Sequence, residues 1–170
     1  MVTGVIEMNS VGRLLSRHLQ NLAPGKLQWI GLRPERKAAM IVVEKVLAIS
    51  DLGLEGDRRC MGTPGSARQV TLINQELIGV VASLLGVQSI NPDLLRRNLV
   101  VSGINLMALR HQSFRIGEAE FEATAQCHPC LRMEQALGTG AVAAMLGHGG
   151  ICAKIVKSGT ISVGDEVVKL

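Results

Sequence analysis

Two cysteines separated by two residues, in A-Q-C-H-P-C-L-R at 125–132, are the most reactive combination in the sequence. Cys127 and Cys130 could form a redox dithiol, supply half of a zinc site, ligate a cofactor, or act only as structural thiols. Zinc needs four ligands in a structural site, and the nearest further candidates, His148 and Cys152, lack the usual spacing of a second ligand pair. In a thioredoxin-type dithiol the first cysteine lies at the N-terminus of a helix. The residues after this pair do not clearly predict a helix. The pair alone leaves all four interpretations open.

Arginine density is the second chemical signal. Five arginines fall within forty residues, each beside a predicted strand: Arg58, Arg59, Arg68, Arg96 and Arg97. Arginine outnumbers lysine twelve to six, and a guanidinium group can bind phosphate or carboxylate in bidentate fashion. This pattern favours a small anionic ligand. The alternative is that these arginines only solvate strand ends and pair with Glu55, Asp57 and Asp93.

The absence of two motifs argues against a nucleotide-binding loop and a serine-hydrolase site. No G-x-x-x-x-G-K-[ST] segment is present, so a nucleotide P-loop is not expected. G-H-G-G at 147–150 resembles an oxyanion loop with His148 as a base, but no G-x-S-x-G segment accompanies it. We interpret this segment as a turn.

Composition limits the class of protein. The 170 residues are 47% hydrophobic and 2% aromatic, with a net charge of +4, which predicts a single aliphatic core. With so few aromatic rings for base stacking, nucleic acid is not an expected partner. The N-terminus shows no signal or membrane segment, and four cysteines without a signal peptide predict a reducing, cytoplasmic setting.

The hydrophobic pattern predicts the elements that carry these residues. Residues 1–26 form an accessory extension with a helix over 5–22, and residues 27–170 form the main domain. Strands are predicted over 27–32, 40–49, 68–73 and 98–103, with a hairpin over 113–124 and three short strands after 150. Asn74 is predicted to cap a helix that ends at Gly86, with Leu77, Val80, Val81 and Leu84 on its apolar face. A second helix is predicted near 140–147.

About eight or nine strands, with only two or three helices and short connections, favour one architecture. The fold class expected is mainly β, a closed or nearly closed β-barrel with a few peripheral helices.

Six segments occur in one order with short gaps. They are G-L-E-G-D-R (53–58), R-Q-V-T-L-I (68–73), R-R-N-L-V-V-S-G (96–103), F-R-I-G-E-A-E-F (114–121), C-H-P-C (127–130) and S-G-T-I-S-V-G-D-E-V (158–167). In this order they resemble the MOSC domain, named for the C-terminal part of the molybdenum cofactor sulfurase. The resemblance covers roughly residues 27–170.

The resemblance implies a β-barrel that binds the molybdenum pyranopterin cofactor or carries sulfur for it. Cys130 matches the functional cysteine, whose thiolate ligates the metal in molybdenum-bound members, including the amidoxime-reducing enzymes. Arg96 and Asn98 match the R-x-N that holds the anionic end of the cofactor, Arg58 matches the arginine of G-D-R, and Arg68 is carried over as a fourth binding residue. A soft thiolate suits molybdenum, and fixed bidentate donors suit the pterin phosphate.

Two domains of larger relatives have no counterpart here. Without the aminotransferase-like domain we expect no pyridoxal phosphate site and no cysteine desulfurase activity in this chain. We also expect no counterpart of the N-terminal β-barrel of amidoxime reducers, because residues 1–26 are too short to form it. Three hypotheses stay open: a molybdenum-cofactor-dependent oxidoreductase, a sulfur transferase or persulfide carrier served by a redox or sulfur-donor protein, and a non-catalytic barrel that binds another anion or a protein.

Overall fold

The computed structural model describes residues 17–170. Its strands are β1 (Gly25–Leu32), β2 (Ile41–Val43), β3 (Lys45–Ile49), β4 (Gly53–Leu54), β5 (Val70–Asn74), β6 (Leu99–Ser102), β7 (Ser113–Ile116), β8 (Ala119–Gln126), β9 (Ile151–Lys157), β10 (Gly159–Ser162) and β11 (Glu166–Lys169). Its helices are α1 (Gln75–Leu84), α2 (Pro92–Leu95), α3 (Leu131–Leu137) and α4 (Ala141–Met145). Short 3-10 turns cover Arg17–Leu19, Arg58–Met61 and Leu106–Leu109. The described residues therefore hold more strands and helices than the sequence predicted.

The N-terminal predictions fall mostly outside this range. The helix expected over 5–22 lies largely outside the described residues. Within its described part, residues 17–22, Arg17–Leu19 forms a 3-10 turn. Strand β1 begins at Gly25, just before the predicted start of the main domain at residue 27.

Seven strands close into a barrel. Their order is β1, β11, β7, β8, β9, β5 and β6, and β6 pairs again with β1. The closing contact aligns Gly25 with Val167, while β2 extends the sheet beside β1. A small sheet of β10, β3 and β4 lies apart from this ladder. The structure confirms the prediction of a mainly β fold with a closed barrel.

One connection departs from the antiparallel pattern. Strands β5 and β6 are parallel, and the chain between them forms α1 and α2. A parallel pair needs such a crossover, because a tight turn can only join antiparallel strands. The domain therefore contains a β-α-β unit. The sequence predicted the helix of this connection but not the parallel pairing of its two strands.

The interior of the barrel is aliphatic, as the composition predicted. Its only stacked rings among the described residues are Phe114 and Phe121, whose centroids are 5.3 Å apart. These two residues face each other across the β7–β8 hairpin, which the alternation over 113–124 correctly predicted. The buried aliphatic side chains around them fill the space inside the ladder.

A second apolar cluster lies between the outside of the barrel and the helices. Ile73 and Val100 on the strands pack there against helical side chains, including Met133 and Met145. Helix α1 turns a different face to this cluster from the one predicted: it buries Ile78, Val81 and Ala82, while Val80 and Leu84 are exposed. The predicted face was therefore wrong, except for Val81.

The hydrogen bonding at the start of α1 also differs from the prediction. Asn74 occupies the N-cap position, but its side chain makes no capping hydrogen bond. Its Nδ2 donates to the Ile104 carbonyl at 2.6 Å, and its Oδ1 accepts from the Leu106 amide at 3.2 Å. The asparagine thus joins α1 to the loop after β6.

The glycine-rich segment after the cysteine pair forms two short helices. Gly138 ends α3 and Gly140 precedes α4, both at positive φ. Glu134 holds them together, because its carboxylate accepts from the amides of Gly140 at 2.6 Å and Val142 at 2.8 Å. None of the helices within residues 17–170 has the length and apolar character needed to cross a bilayer.

Candidate functional site

Arginine side chains surround a cleft on the outside of the barrel. It consists of two adjoining cavities of about 500 Å³ and 460 Å³, which share Arg33, Arg58, Arg68 and Thr71 in their walls. We call this the arginine cleft, after its seven arginines: Arg33, Arg58, Arg59, Arg68, Arg96, Arg97 and Arg132. No described residue that lines either cavity is acidic. The cleft is therefore strongly positive and suits an anion.

Beneath the cleft, one buried carboxylate fixes Arg33. Asp57 is 2% exposed and accepts from the Arg33 amide at 2.9 Å, from Nε at 3.1 Å and from Nη2 at 3.2 Å. It also accepts from the Arg59 amide at 2.9 Å. Burial raises the pKa of Asp57, but the hydrogen bonds and charge of Arg33 and the Arg59 amide outweigh it, so the pKa lies below its usual value. The carboxylate is thus ionised and holds two arginines in place.

Asn98 lies in the same buried network instead of in the wall of the cleft. The residue is fully buried; its Nδ2 donates to Asp57 at 2.9 Å and to the Gly31 carbonyl at 3.0 Å. Its Oδ1 accepts from Arg33 Nη2 at 3.0 Å and from Thr71 at 3.2 Å. Every polar atom of the amide is therefore used within the fold. The structure places Asn98 behind Arg33, whereas the sequence suggested direct contact with a ligand.

Arg96 occupies a conformation that is uncommon for a residue with a side chain. It follows α2 with φ 56° and ψ 27°, and its Nη1 donates to the Ala38 carbonyl at 2.6 Å. Burial lowers its pKa, and the neighbouring charges of Arg132, Arg33 and Arg58 lower it further. Like charges have thus been brought together around Arg96, and a bound anion would relieve their repulsion.

Arg58 and Arg68 are the most available donors. Both side chains are exposed, and neither forms an ion pair or a hydrogen bond to an oxygen acceptor within residues 17–170. The buried Nε of Arg59 also lacks an acceptor there. Arg97 differs, because its buried guanidinium donates to the carbonyls of Gly149 at 2.8 Å and Leu95 at 3.0 Å. Arg97 therefore stabilises the loops, while the other three have free donors.

Two cysteines line this cleft, and a third lies in the sheet opposite the cleft residue Thr71. Cys130 is exposed and directly precedes α3, and Cys127, which is 6% exposed, lies at the bottom of the same cavity. Cys152 is 1% exposed and lies beside Thr71 and Ala125 in the sheet. All are free thiols. Residues 17–170 contain no cluster of three or more side chains of the kinds that bind metal through nitrogen, sulfur or carboxylate.

The structure brings four of the five predicted site residues to the arginine cleft: Cys130, Arg58, Arg68 and Arg96. Arg33 and Arg132 were missed. Arg33 directly follows β1, and this strand-end position was the signal that identified the other arginines. Arg132 gave no comparable signal, because α3 was not predicted and its start could not be located.

Replacing Arg68 with glutamine should weaken binding of inorganic pyrophosphate about tenfold. One charge-assisted hydrogen bond contributes roughly 1.4 kcal/mol or more, which corresponds to that factor. Titration calorimetry of purified protein measures the change. Arg115→Gln is the matched control, since Arg115 is exposed on β7 and does not line the cleft. Equal weakening in both variants would show that only overall charge matters.

The fold and the cleft define a β-barrel domain with thiols beside a positively charged cleft. The model of one protein family, the MOSC domain, matches residues 41–168, which is most of the chain. The chain therefore belongs to the MOSC domain family, which is associated with binding of the molybdenum cofactor. The first strand of the barrel lies outside the matched range. No curated protein matches the sequence.

Solved structures share the fold. The YuaD protein from Bacillus subtilis is 21% identical with a TM-score of 0.72, and the match covers 85% of this chain and 94% of YuaD. YiiM from Escherichia coli is 19% identical with a TM-score of 0.66, covering 85% of this chain and 69% of YiiM. YiiM from Geobacillus stearothermophilus is 13% identical with a TM-score of 0.69, covering 86% and 75%. At these identities the likeness concerns the fold alone.

Proposed function

We propose that the protein binds the molybdenum pyranopterin cofactor in the arginine cleft, with the Cys130 thiolate as metal ligand. The observation that carries this proposal is an exposed cysteine in the same cavity as a cluster of arginines, with no acidic residue among the described residues that line it. Family membership supports it, because MOSC domains are associated with this cofactor. When bound, the group would supply redox chemistry at the metal.

The residues of the cleft fit the chemistry of this group. Its phosphate needs several fixed donors. Arg58, Arg68 and the buried Nε of Arg59 have no oxygen acceptor for their side-chain donors within residues 17–170. Molybdenum prefers a soft ligand such as a thiolate, and Cys130 presents one at the surface. Arg33 adds positive charge in an orientation set by Asp57 and Asn98.

Protein made in a host that produces the cofactor should contain molybdenum, and Cys130→Ser should lose most of it. The reason is that serine does not provide the soft sulfur ligand. Elemental analysis of the purified proteins gives the molybdenum content per chain. Cys60→Ser is the matched control, because Cys60 does not line either cavity. Equal molybdenum in wild type and Cys130→Ser would contradict the assignment.

A sulfur carrier is the second candidate function, and the exposure of Cys130 favours it. A persulfide donor protein could reach this thiol at the rim of the cleft, as transfer between two proteins requires. Wild-type protein that contains no molybdenum, but gains one sulfur atom on Cys130 from such a donor, would favour this function over the first. In both cases we propose a cytoplasmic location, because four free thiols fit a reducing compartment.

A further inference from the structure

Cys127 and Cys152 are neighbours on one face of the sheet. The amide of Cys127 donates to the Gly150 carbonyl at 2.8 Å, which continues the β8–β9 ladder beyond the pairing of Ala125 with Cys152. Residues two apart on a strand share a face, so the two thiols are diagonal cross-strand neighbours. Cys152 also lies opposite Thr71, which lines the arginine cleft. Cys127 therefore lines the cleft, and Cys152 lies opposite one of the residues that line it, Thr71.

Their surroundings make one thiol acidic and leave the other protonated. A hydrogen bond from Cys152 lowers the pKa of Cys127; burial opposes this, and the charges of Arg97, Arg68 and Arg33 lower the pKa further. The same hydrogen bond, together with burial, raises the pKa of Cys152. The pair thus combines a thiolate with a thiol that can donate a proton to it. The proposed function requires neither, because it assigns the metal to Cys130.

We propose that Cys127 and Cys152 form a second reactive site in the arginine cleft, a dithiol that a hydroperoxide oxidises to an internal disulfide. Cys127 can be reached because it lines the cavity, whereas Cys152 does not line it and is shielded from solvent. Cys127 is therefore the attacking thiol and Cys152 the resolving thiol. This site does not depend on the identity of the ligand that the cleft binds.

The reaction proceeds in two balanced steps. The Cys127 thiolate attacks one oxygen of the peroxide; the S–O bond forms, the O–O bond breaks, and hydroxide or alkoxide leaves with the electron pair. The Cys152 sulfur then attacks the resulting sulfenic acid; the S–S bond forms, the S–O bond breaks, and the departing hydroxide takes the Cys152 proton as water. The two sulfurs lose two electrons in total, and the peroxide gains them.

The position of Cys130 argues against it as the resolving thiol. Cys130 is exposed at the start of α3, where its carbonyl accepts from the Met133 amide at 2.8 Å. The side chain of Cys127 is instead 6% exposed and faces the sheet beside Cys152. The proposed disulfide instead joins Cys127 to the buried thiol that shares its face of the sheet. Oxidation to the Cys127–Cys152 disulfide also removes a negative charge from among the arginines, so the cleft becomes more positive.

Peptide mapping after peroxide treatment tests this site. Wild type and Cys130→Ser are treated with hydrogen peroxide at neutral pH, alkylated under denaturing conditions and digested for mass spectrometry. We expect a Cys127–Cys152 cross-linked peptide in both proteins. Since the thiolate is the reactive form, Cys127 should be lost at least about tenfold faster than Cys60, whose pKa is raised by burial and by Asp57 and Glu55.

The Cys152→Ser variant separates the two steps. Without the resolving thiol, Cys127 should remain as a sulfenic acid that dimedone traps. A Cys127–Cys130 disulfide in wild type would overturn the proposal. Oxidation of Cys130 by the peroxide while Cys127 is still reduced would also overturn it. The measurement in wild type stands even if Cys152→Ser does not fold. Peptide mapping measures the state of the thiols and not the molybdenum content. A negative result is therefore distinguishable from failure of the proposed function.

Discussion

Replacing Asn98 with leucine should lower the free energy of unfolding by about 3–5 kcal/mol, although the two side chains are similar in size. The leucine cannot pair with Asp57, Arg33 or Thr71, whose atoms now bond to the amide at 2.9–3.2 Å. Each buried polar group left without a partner costs about 1–3 kcal/mol, and a charged group more. Urea unfolding measures the change.

Asn91→Ala is the matched control for this prediction. Asn91 precedes α2 as an exposed N-cap, and its side chain makes no capping hydrogen bond. Its replacement should change stability by less than about 0.5 kcal/mol. If Asn98→Leu unfolds at the wild-type urea concentration, the network around Asp57 does not stabilise the fold.

The second large effect is expected for Gly150→Ala, at about 3 kcal/mol or more of lost stability. Gly150 has φ +88°, and a Cβ there would overlap the backbone carbonyl of Leu72 on the neighbouring strand. Alanine is strained at such a φ, and neither strand can move away because Leu72 pairs with Ile151. Thermal and urea unfolding of the purified variant measure the loss.

Gly79→Ala provides a control of opposite sign. Gly79 lies within α1, its φ is not positive, and nothing lies within 4 Å of an added Cβ. Alanine in a helix interior is favoured over glycine by roughly 0.5–1 kcal/mol, so this variant should be more stable than wild type. Comparable destabilisation in both variants would show that the close approach to Leu72 is not the cause.

The barrel could be predicted because its signals are local. The alternation over 113–124 predicts a hairpin between adjacent segments, and Gly164 marks the turn before β11. The run over 40–49 shows the limit of such signals. It divides at Glu44 into β2, which joins the barrel sheet, and β3, which joins the small sheet. The division depends on β10, a partner of β3 that lies far away in the sequence, so local signals do not reveal it.

The kinds of residue in the site could be predicted from the sequence, but the role of each residue could not. Strand-end arginines and the cysteine pair identified the cleft, because their residue types carry the information. Asn98 could not be placed, since its partners Gly31, Asp57 and Thr71 come from three other parts of the chain. The reactive potential of Cys127 also depends on a distant residue, Cys152, which β9 brings beside it.

The closure of the barrel has a consequence for synthesis on the ribosome. Strand β1 is among the first strands made, yet its partner β11 consists of Glu166–Lys169. At about 5–20 residues per second, β1 waits several seconds with one edge unpaired, and unpaired edges favour association between chains. Long-range pairing also slows folding itself. The nascent barrel is therefore most vulnerable to aggregation just before its last strand emerges.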